Sequence, residues 1–456
     1  MKGKERSENG AYPLQRSLII VRHHGALRRA LKDGTVRKPC AVVFRYHPSN
    51  RYSFLALLAS LETRQGGDDT PILWLDTRTN AETTSTLKRW LEAYERLLVA
   101  YSLMTPQWPD TAREVRALSL LPERNRWVLA AGGPHPSASP KSVLQAGFDV
   151  VCRGDGEPVF PELLRRWIEG TPLHPIPGLY LRTPDGPVYT GPPRRAGLDL
   201  VPALPIAHGK YGPIEITRGC PYRCRYCQTP RLKGRRVRHR SLDGIFRAVE
   251  AMIQAGRKDI RFISPNAFAY GSPDGRQPNV RALHALLSGL RDRLADTGRI
   301  FFGTFPSEVR PDWVRPETVA LVARYADNRQ LVMGAQSGDR DMLARMERGH
   351  TPEDVRKACA VMKTFGMQPI VDFILGLPGE SREQMTRSVD FMEELAEEGA
   401  RIHAHTFMPL PGSPWAALKP EPIADDIRSR LERLISRGKL FGQWKAQARL
   451  ARLPIP

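Results

Sequence analysis

The stretch Ile216-Thr-Arg-Gly-Cys220-Pro-Tyr-Arg-Cys224-Arg-Tyr-Cys227 places three cysteines within eight residues, at the spacing C-x₃-C-x₂-C. Three thiolates at this spacing can bind three irons of a [4Fe-4S] cube and leave the fourth iron open to another ligand. A structural zinc site usually needs four ligands, and the nearest further donor is His239. The stretch therefore predicts that Cys220, Cys224 and Cys227 hold an iron–sulfur cluster.

On both sides of this stretch, short apolar runs alternate with helical patterns, which is typical of the α/β class. Residues 213–412 predict six strands with helices between them, arranged as a partial (β/α)6 barrel. Residues 39–170 predict a Rossmann-like parallel sheet with helices on both faces. Residues 171–212 are rich in proline and glycine and predict a linker with a small hairpin. The ends are predicted to be a basic lead-in, residues 1–38, and a basic helical C-terminal segment, residues 413–456.

The composition excludes several classes of protein. The three remaining cysteines, Cys40, Cys152 and Cys359, stand alone, whereas a disulfide framework is dense and even-numbered. No apolar run is long enough to cross a bilayer, and the apolar stretch at residues 18–21 is too short for a signal peptide. We expect a cytoplasmic protein that makes no membrane contact.

The cysteine stretch resembles that of the radical S-adenosylmethionine (SAM) superfamily. The resemblance implies that the open iron binds SAM and that the reduced cluster cleaves it to a 5′-deoxyadenosyl radical, with electrons from a flavodoxin- or ferredoxin-like donor. Four further segments resemble superfamily motifs: IRFISPNAFAYG (260–271), GTFPSEVRP (303–311), GAQSGDRDMLARMERGHT (334–351) and VDFILGLPGES (371–381). The residues that this resemblance assigns to SAM are Tyr226, Pro265, Asn266, Ser307, Glu308, Gln336, Ser337, Ile374 and Gly376.

The N-terminal unit resembles the cobalamin-binding domain that precedes many radical SAM domains. The resemblance rests on Gly132-Gly-Pro-His-Pro136 and on Val150-Val-Cys-Arg-Gly-Asp-Gly-Glu157, each of which follows a predicted strand. The motif D-x-H-x-x-G is absent, so no histidine is assigned as a cobalt ligand. The alternative is a Rossmann-like domain that binds only substrate. The residues assigned to cobalamin are Ser49, Asn50, Ser102, Thr105, Gly132, Gly133, Gly154 and Glu157.

These resemblances imply cobalamin-dependent methylation or rearrangement of a small-molecule or peptide substrate that the sequence does not identify. One alternative is a methylthiotransferase acting on tRNA or protein, but those enzymes carry three further N-terminal cysteines and a C-terminal RNA-binding β-barrel. The other is a non-catalytic iron–sulfur protein. The net charge of +21 and the basic segment 231–240 keep RNA possible, although a solvated segment or a clamp on the SAM carboxylate explains that segment slightly better.

Overall fold

The computed structural model describes residues 38–63, 70–195 and 197–451, which form two α/β units and a helical C-terminal region. The predicted α/β class is confirmed. The predicted basic lead-in lies outside the described residues, except for Lys38. None of the helices in the described ranges is both long and apolar enough to cross a lipid bilayer.

Seven strands form the N-terminal sheet, in the order β2-β1-β3-β4-β5-β6-β7. The first five strands are parallel, and the last two are antiparallel. Their bounds are β1 Lys38–Arg45, β2 Ile72–Leu75, β3 Tyr94–Ser102, β4 Trp127–Gly132, β5 Val150–Cys152, β6 Leu179–Thr183 and β7 Gly186–Tyr189. Strands β6 and β7 form the hairpin expected in the proline-rich segment, and they extend this sheet by pairing with β5.

Helices cover both faces of this sheet. Their bounds are α1 Arg51–Leu61, α2 Asn80–Ala93, α3 Trp108–Ser119, α4 Pro134–Ala138, α5 Pro140–Gln145 and α6 Phe160–Glu169. Successive residues of a strand point to opposite faces, so Ala41 and Val43 join the core under α2 and α3, whereas Val42 and Phe44 join the core under α1 and α6. A strand buried on both faces needs the continuous apolar run that the sequence has here.

The second unit is a partial barrel made of two parallel sheets, β12-β11-β8 and β13-β14-β15-β16. A bridge between Val309 and Met333 joins the sheets. The strands are β8 Ile214–Glu215, β9 Thr217–Arg218, β10 Arg238–His239, β11 Asp259–Ile263, β12 Arg299–Phe301, β13 Gln330–Gln336, β14 Gln368–Leu375, β15 Arg401–Thr406 and β16 Leu440–Phe441. The helices are α7 Thr229–Leu232, α8 Leu242–Gln254, α9 Val280–Leu294, α10 Pro316–Tyr325, α11 Arg340–Arg345, α12 Pro352–Thr364, α13 Arg382–Glu397, α14 Asp425–Ser436 and α15 Trp444–Leu450.

Alternation along β14 and β15 decides which side chains enter the barrel. Val371 and Phe373 pack into the core under the surrounding helices, as does Ala404. Asp372 lies between Val371 and Phe373, and His403 lies next to Ala404. The side chains of Asp372 and His403 therefore point to the inside of the barrel. The C-terminal segment was expected to be helical, and α14 and α15 agree with that, but between them β16 adds a strand to the barrel beside β15.

Candidate functional site

The cysteine loop follows β9 and folds tightly against the segment that precedes β10. Gly219 has a φ of +93°, and a Cβ atom there would lie 2.4 Å from the carbonyl oxygen of Arg236, so only glycine fits. The backbone N–H of Cys220 donates to the carbonyl of Gly234 at 3.0 Å, and that of Cys227 donates to Cys224 at 3.1 Å. All three thiols are free. The loop thus presents three unbonded sulfurs, which is the donor set that a [4Fe-4S] cluster requires.

The buried thiols of this loop need positive charge beside them to become the thiolates that bind iron. Burial raises the pKa of the Cys220 thiol to about 11 and also raises the pKa of Cys227. Buried thiols become thiolates when a metal ion supplies the compensating charge. The guanidinium of Arg348 provides further positive charge, because its Nη1 lies 3.7 Å from the Sγ of Cys224.

Unsatisfied buried polar atoms gather at the carboxyl ends of the barrel strands. Most buried polar groups in proteins have hydrogen-bond partners, so a set of unpaired ones indicates a missing ligand. Asn266 and Ser307, which the sequence assigns to SAM, are 5% and 1% exposed, and their side-chain polar atoms have no partner. The other buried atoms of this kind in the same region are Thr304 Oγ1, Arg310 Nη1, Arg348 Nε and His350 Nδ1.

Two of these residues could have been found from the sequence. Thr304 follows β12 within the same GTFPSEVRP segment as Ser307, and polar residues just after parallel strands are a usual source of ligand contacts. His350 lies beyond α11, but within the segment 334–351 that resembles a superfamily motif. Arg310 lies near the end of the GTFPSEVRP segment, after the bridge residue Val309, and strand-end position alone does not single it out.

Two of the residues assigned to SAM, Tyr226 and Ile374, pack on the same cluster. This small apolar cluster includes Phe407 and Trp415. The structure gives less support to two other residues assigned to SAM. Pro265 is exposed, and the hydroxyl of Ser337 pairs with Ser388.

Two predicted SAM residues have unusual backbone geometry. Gln336 is buried and has a φ of +76°, at a register shift between β13 and β14. Gly376 has a φ of +65°, and a Cβ there would lie 2.6 Å from the carbonyl oxygen of Glu421. Gly376 therefore allows the loop after β14 to pack against the following segment, and its contact with SAM stays a prediction.

Glu308 has a different environment from the neutral residues around it. Its carboxyl group is hydrogen-bonded to Asp372, and burial together with that second carboxylate raises its pKa to about 8. Arg348 opposes this shift but does not overcome it. Glu308 is therefore protonated at neutral pH and can donate a hydrogen bond.

The predicted cobalamin residues in the loops after β1, β3 and β4 share one edge of the N-terminal sheet. Ser49 follows β1 and accepts a hydrogen bond from Gln107 at 2.9 Å, and the amide of Asn50 donates to the carbonyl of Ser102 at 3.2 Å. Gly133 has a φ of +94°, and a Cβ there would lie 2.9 Å from the backbone nitrogen of Leu103. Thr105 lies beside the buried His135, with 3.4 Å between Oγ1 and Nδ1, and Gly132 ends β4.

The two remaining predicted cobalamin residues lie at the contact with the barrel. Glu157 is buried and forms an ion pair with Arg218 of β9. Its neighbour Asp155, which the sequence analysis did not single out, pairs with Arg218, Lys233 and Arg238. Burial would raise the pKa of Asp155, but Lys233 and the two arginines hold it well below its usual value. Gly154 precedes this pair, and its N–H donates to Ser137.

This ion network also explains part of the basic segment 231–240. Lys233 and Arg238 pair with Asp155, while Arg240 is buried and donates to the carbonyl of Val201 at 2.9 Å. Lys233 and Arg238 thus join the two units, and Arg240 is buried against the linker segment that holds Val201. They are consequently poor candidates for contacts with RNA phosphates.

A cavity of about 3400 Å³ separates the N-terminal sheet edge from the open side of the barrel. Drug-sized ligands occupy pockets of roughly 300–1,000 Å³, so this space suits a much larger molecule. Large apolar side chains are exposed within it, namely Tyr52, Met104, Phe305 and Phe441. A wide cavity with apolar walls and polar loops fits a corrin ring with its amide side chains.

Comparison with known proteins identifies two domains in this chain. Residues 214–392 match the model of the Radical SAM superfamily, and residues 55–164 match the model of the B12 binding domain. Among curated relatives, the ribosomal protein uS12 methylthiotransferase RimO of Sphingopyxis alaskensis is 28% identical over 280 residues, which cover 57% of this chain and 58% of the relative. A tRNA-2-methylthio-N(6)-dimethylallyladenosine synthase of Pelobacter propionicus is 29% identical over 247 residues, 52% of each chain. This chain thus spans little more than half the length of these relatives.

Two solved structures share the fold of this chain over most of its length. The radical SAM methyltransferase TsrM from Kitasatospora setae, solved with cobalamin and a [4Fe-4S] cluster bound, aligns with a TM-score of 0.64 and 18% identity, covering 84% of this chain and 74% of that one. The cobalamin-dependent SAM radical enzyme OxsB, solved with aqua-cobalamin, aligns with a TM-score of 0.62 and 16% identity, covering 88% and 56%. At these identities the likeness establishes the fold.

Proposed function

Because this chain joins a B12 binding domain to a radical SAM domain, we propose that it is a cobalamin-dependent radical SAM enzyme that methylates a substrate held between them. The observation that carries the proposal is the placement of the free cysteine loop on one side of the barrel and the wide cavity on its open side. When bound, the cluster and SAM supply a carbon-centred radical and cobalamin supplies a methyl group.

The residues of this chain bind and orient these groups. Cys220, Cys224 and Cys227 hold the cluster, and the unpaired polar atoms of Asn266 and Ser307 hydrogen-bond SAM. Tyr226 and Ile374 pack on the adenine, in keeping with the apolar cluster that they share. Residues Pro265, Gln336, Ser337 and Gly376 complete this part of the proposal.

The sheet edge of the N-terminal domain holds cobalamin. The loops after β1 and β3 line the cavity there, and the loop after β4 packs against the loop after β3. Exposed Met104 and Tyr52 cover an apolar face of the ligand, and Gly133 allows the loop after β4 to pack closely on Leu103. Electrons come from a flavodoxin- or ferredoxin-like donor, and the substrate is a small molecule or a peptide.

The curated relatives include methylthiotransferases, but one feature favours methylation. Outside the 220–227 loop the sequence holds three cysteines, and Cys40 and Cys152 lie on the separate strands β1 and β5. Strands β3 and β4 lie between β1 and β5, so these two thiols are too far apart to bind one further cluster.

The first test is anaerobic purification with added hydroxocobalamin, followed by assay of iron, sulfide and cobalt. We expect about four irons and one cobalt per chain, as one [4Fe-4S] cluster and one cobalamin require. A C220A/C224A/C227A variant should lose the iron and the SAM cleavage, whereas the matched control C40A/C152A should keep both. Iron retained in the triple variant would contradict the cluster site, and full iron without cobalt would contradict the cobalamin site.

A further inference from the structure

Four ionisable side chains lie side by side inside the barrel and have no role in the proposal so far. Glu308 precedes the bridge residue Val309, Asp372 lies on β14, and His403 and His405 lie on β15. Glu308 and His403 also line the wide cavity. This group, which we call the interior tetrad, therefore lies between the region of the unpaired SAM-site atoms and the cobalamin cavity.

Within the tetrad, Asp372 is the central acceptor. It is buried, and one of its carboxylate oxygens lies 2.9 Å from Nδ1 of His403. Its other hydrogen bond comes from Glu308, which is the protonated partner because burial and the charge of Asp372 raise the pKa of Glu308 to about 8. Asp372 therefore accepts from Glu308 and, at 2.9 Å, from Nδ1–H of His403, which leaves a lone pair on Nε2 of that ring.

The tautomer of His405 is fixed by Gln447. The backbone N–H of Thr406 donates to Oε1 of Gln447 at 2.9 Å, so the amide nitrogen of Gln447 faces Nδ1 of His405 at 3.3 Å and donates to it. Burial lowers the pKa of His405, and the nearby His403 lowers it further, so the ring is neutral and carries its proton on Nε2.

This tautomer argues against a metal ion. The donor atoms of Asp372, His403 and His405 lie within 4.8 Å of one another, a spacing that a metal could use. However, Nδ1 of His405 accepts from Gln447 and its Nε2 is protonated, so the ring has no free lone pair for a metal. The tetrad is better suited to handling a proton.

The imidazole of His403 is held rigidly at the cavity wall. It stacks on Phe441 with ring centroids 4.6 Å apart and planes 8° apart, and its other neighbour is the ring of His405 at 4.1 Å. Gly442 leaves room for it, because a Cβ there would lie 3.0 Å from Cδ2 of His403. Two cations lie near the group: Arg348 faces Glu308, and Arg401 stacks over Phe441.

We propose that His403, oriented by Asp372, is a catalytic base that binds a substrate N–H or O–H group and accepts its proton. In this step the N–H or O–H bond breaks, its electron pair stays on the substrate heteroatom, and the proton bonds to Nε2 of His403. Asp372 balances the charge of the resulting imidazolium. The inference rests on the proposed function for the presence of a substrate here, and it narrows the substrate to molecules with an ionisable N–H or O–H group.

The test uses diethyl pyrocarbonate, which acylates accessible imidazoles with a free lone pair, and peptide mass spectrometry to follow each histidine at pH 7.5. In the cluster-reconstituted chain without cobalamin, we expect His403 to react while the buried His135 and His350 do not. D372N should slow acylation of His403 several-fold, because the imidazole loses its anionic partner. E308Q should leave the rate unchanged, since its amide still donates to Asp372.

His208 serves as the internal control, because it is exposed, pairs with Glu62 and lies outside the tetrad. Its rate should be the same in all variants. If D372N does not fold, ring-¹⁵N spectra of the wild-type chain decide, with expected tautomers Nδ1–H for His403 and Nε2–H for His405. A His403 as inert as His135, an unchanged rate in folded D372N, or an Nε2–H tautomer of His403 would overturn the proposal. An iron assay on the same samples, and a cobalt assay on parallel samples given hydroxocobalamin, show separately whether the cofactor sites are intact.

Discussion

At the scale of single residues, the sequence was most informative where chemistry restricts the choice of side chain. The spacing of Cys220, Cys224 and Cys227 led directly to the loop that the structure presents with free thiols. Asn266 and Ser307 were assigned to SAM by resemblance to superfamily segments, and in the structure both are buried with unpaired side-chain polar atoms. Asp372 and His403 were missed, since a residue inside a barrel strand looks like core until its facing neighbours are known.

The residue with the clearest electronic effect is Arg348. Its guanidinium donates to the Sγ of Cys224, and hydrogen bonds and positive charge near cluster sulfurs stabilise the reduced, more negative state. We therefore expect R348M to lower the reduction potential of the cluster, measured by a redox titration followed by electron paramagnetic resonance.

The matched control for this prediction is R345M. Arg345 lies three residues earlier, is exposed, and donates to the carbonyl of Gly379 rather than to a thiol. We expect R345M to leave the reduction potential of the cluster unchanged. An equal fall in both variants would show a general charge effect instead of a contact with Cys224.

At the scale of helices and strands, periodicity predicted long elements well and short ones poorly. The alternation of apolar runs and helical patterns located β1 to β5 and the six main barrel strands, because each is buried by helices and must be apolar. Strand β16 has only two residues, Leu440–Phe441, and no pattern of period two can be seen over that length. Residues 440–441 form a strand because they pair with β15, and a sequence pattern cannot show that pairing.

The N-terminal cap of helix α13 is a local sequence signal whose contribution to the free energy of unfolding can be measured. Ser381 caps it by accepting from the N–H of Gln384 at 3.2 Å, and the side chain of Gln384 accepts from the N–H of Ser381 at 3.0 Å. We expect S381A to lower the free energy of unfolding by about 1 kcal/mol, as loss of such a cap usually does, measured by urea titration.

T386A is the control for the cap. Thr386 is half-buried, and its hydroxyl donates to the carbonyl of Arg382 in its own helix at 2.9 Å. Because alanine has the higher helix propensity, this change should leave the unfolding free energy within about 0.5 kcal/mol of the wild type or raise it slightly. A larger loss in T386A than in S381A would contradict the role assigned to the cap.

At the scale of the whole molecule, the ion network fastens the two units together beside the cysteine loop. Arg218 is 5% exposed and faces Asp155, Glu157 and Glu215. The sequence showed these charges separately, in the segments 150–157 and 216–227, but long-range pairing of charges has no signature in a single chain.

We therefore expect replacement of Arg218 to lower the free energy of unfolding. R218M leaves Asp155 and Glu157 buried without their shared partner, and breaking a buried pair in this way costs about 3–5 kcal/mol. Differential scanning calorimetry should show a lower midpoint of unfolding. R382M is the comparison, because the pair Arg382–Asp426 is exposed and contributes about 0–1 kcal/mol. Equal effects of the two changes would contradict a role for burial.

The same ion network limits how such proteins can be recombined. The barrel contributes Arg218, Lys233 and Arg238, and the N-terminal unit contributes the buried carboxylates of Asp155 and Glu157 that pair with them. Transplanting this B12 binding domain onto an unrelated barrel would leave Asp155 and Glu157 buried without cationic partners. Productive domain shuffling, in evolution or in the laboratory, must therefore exchange these five residues together.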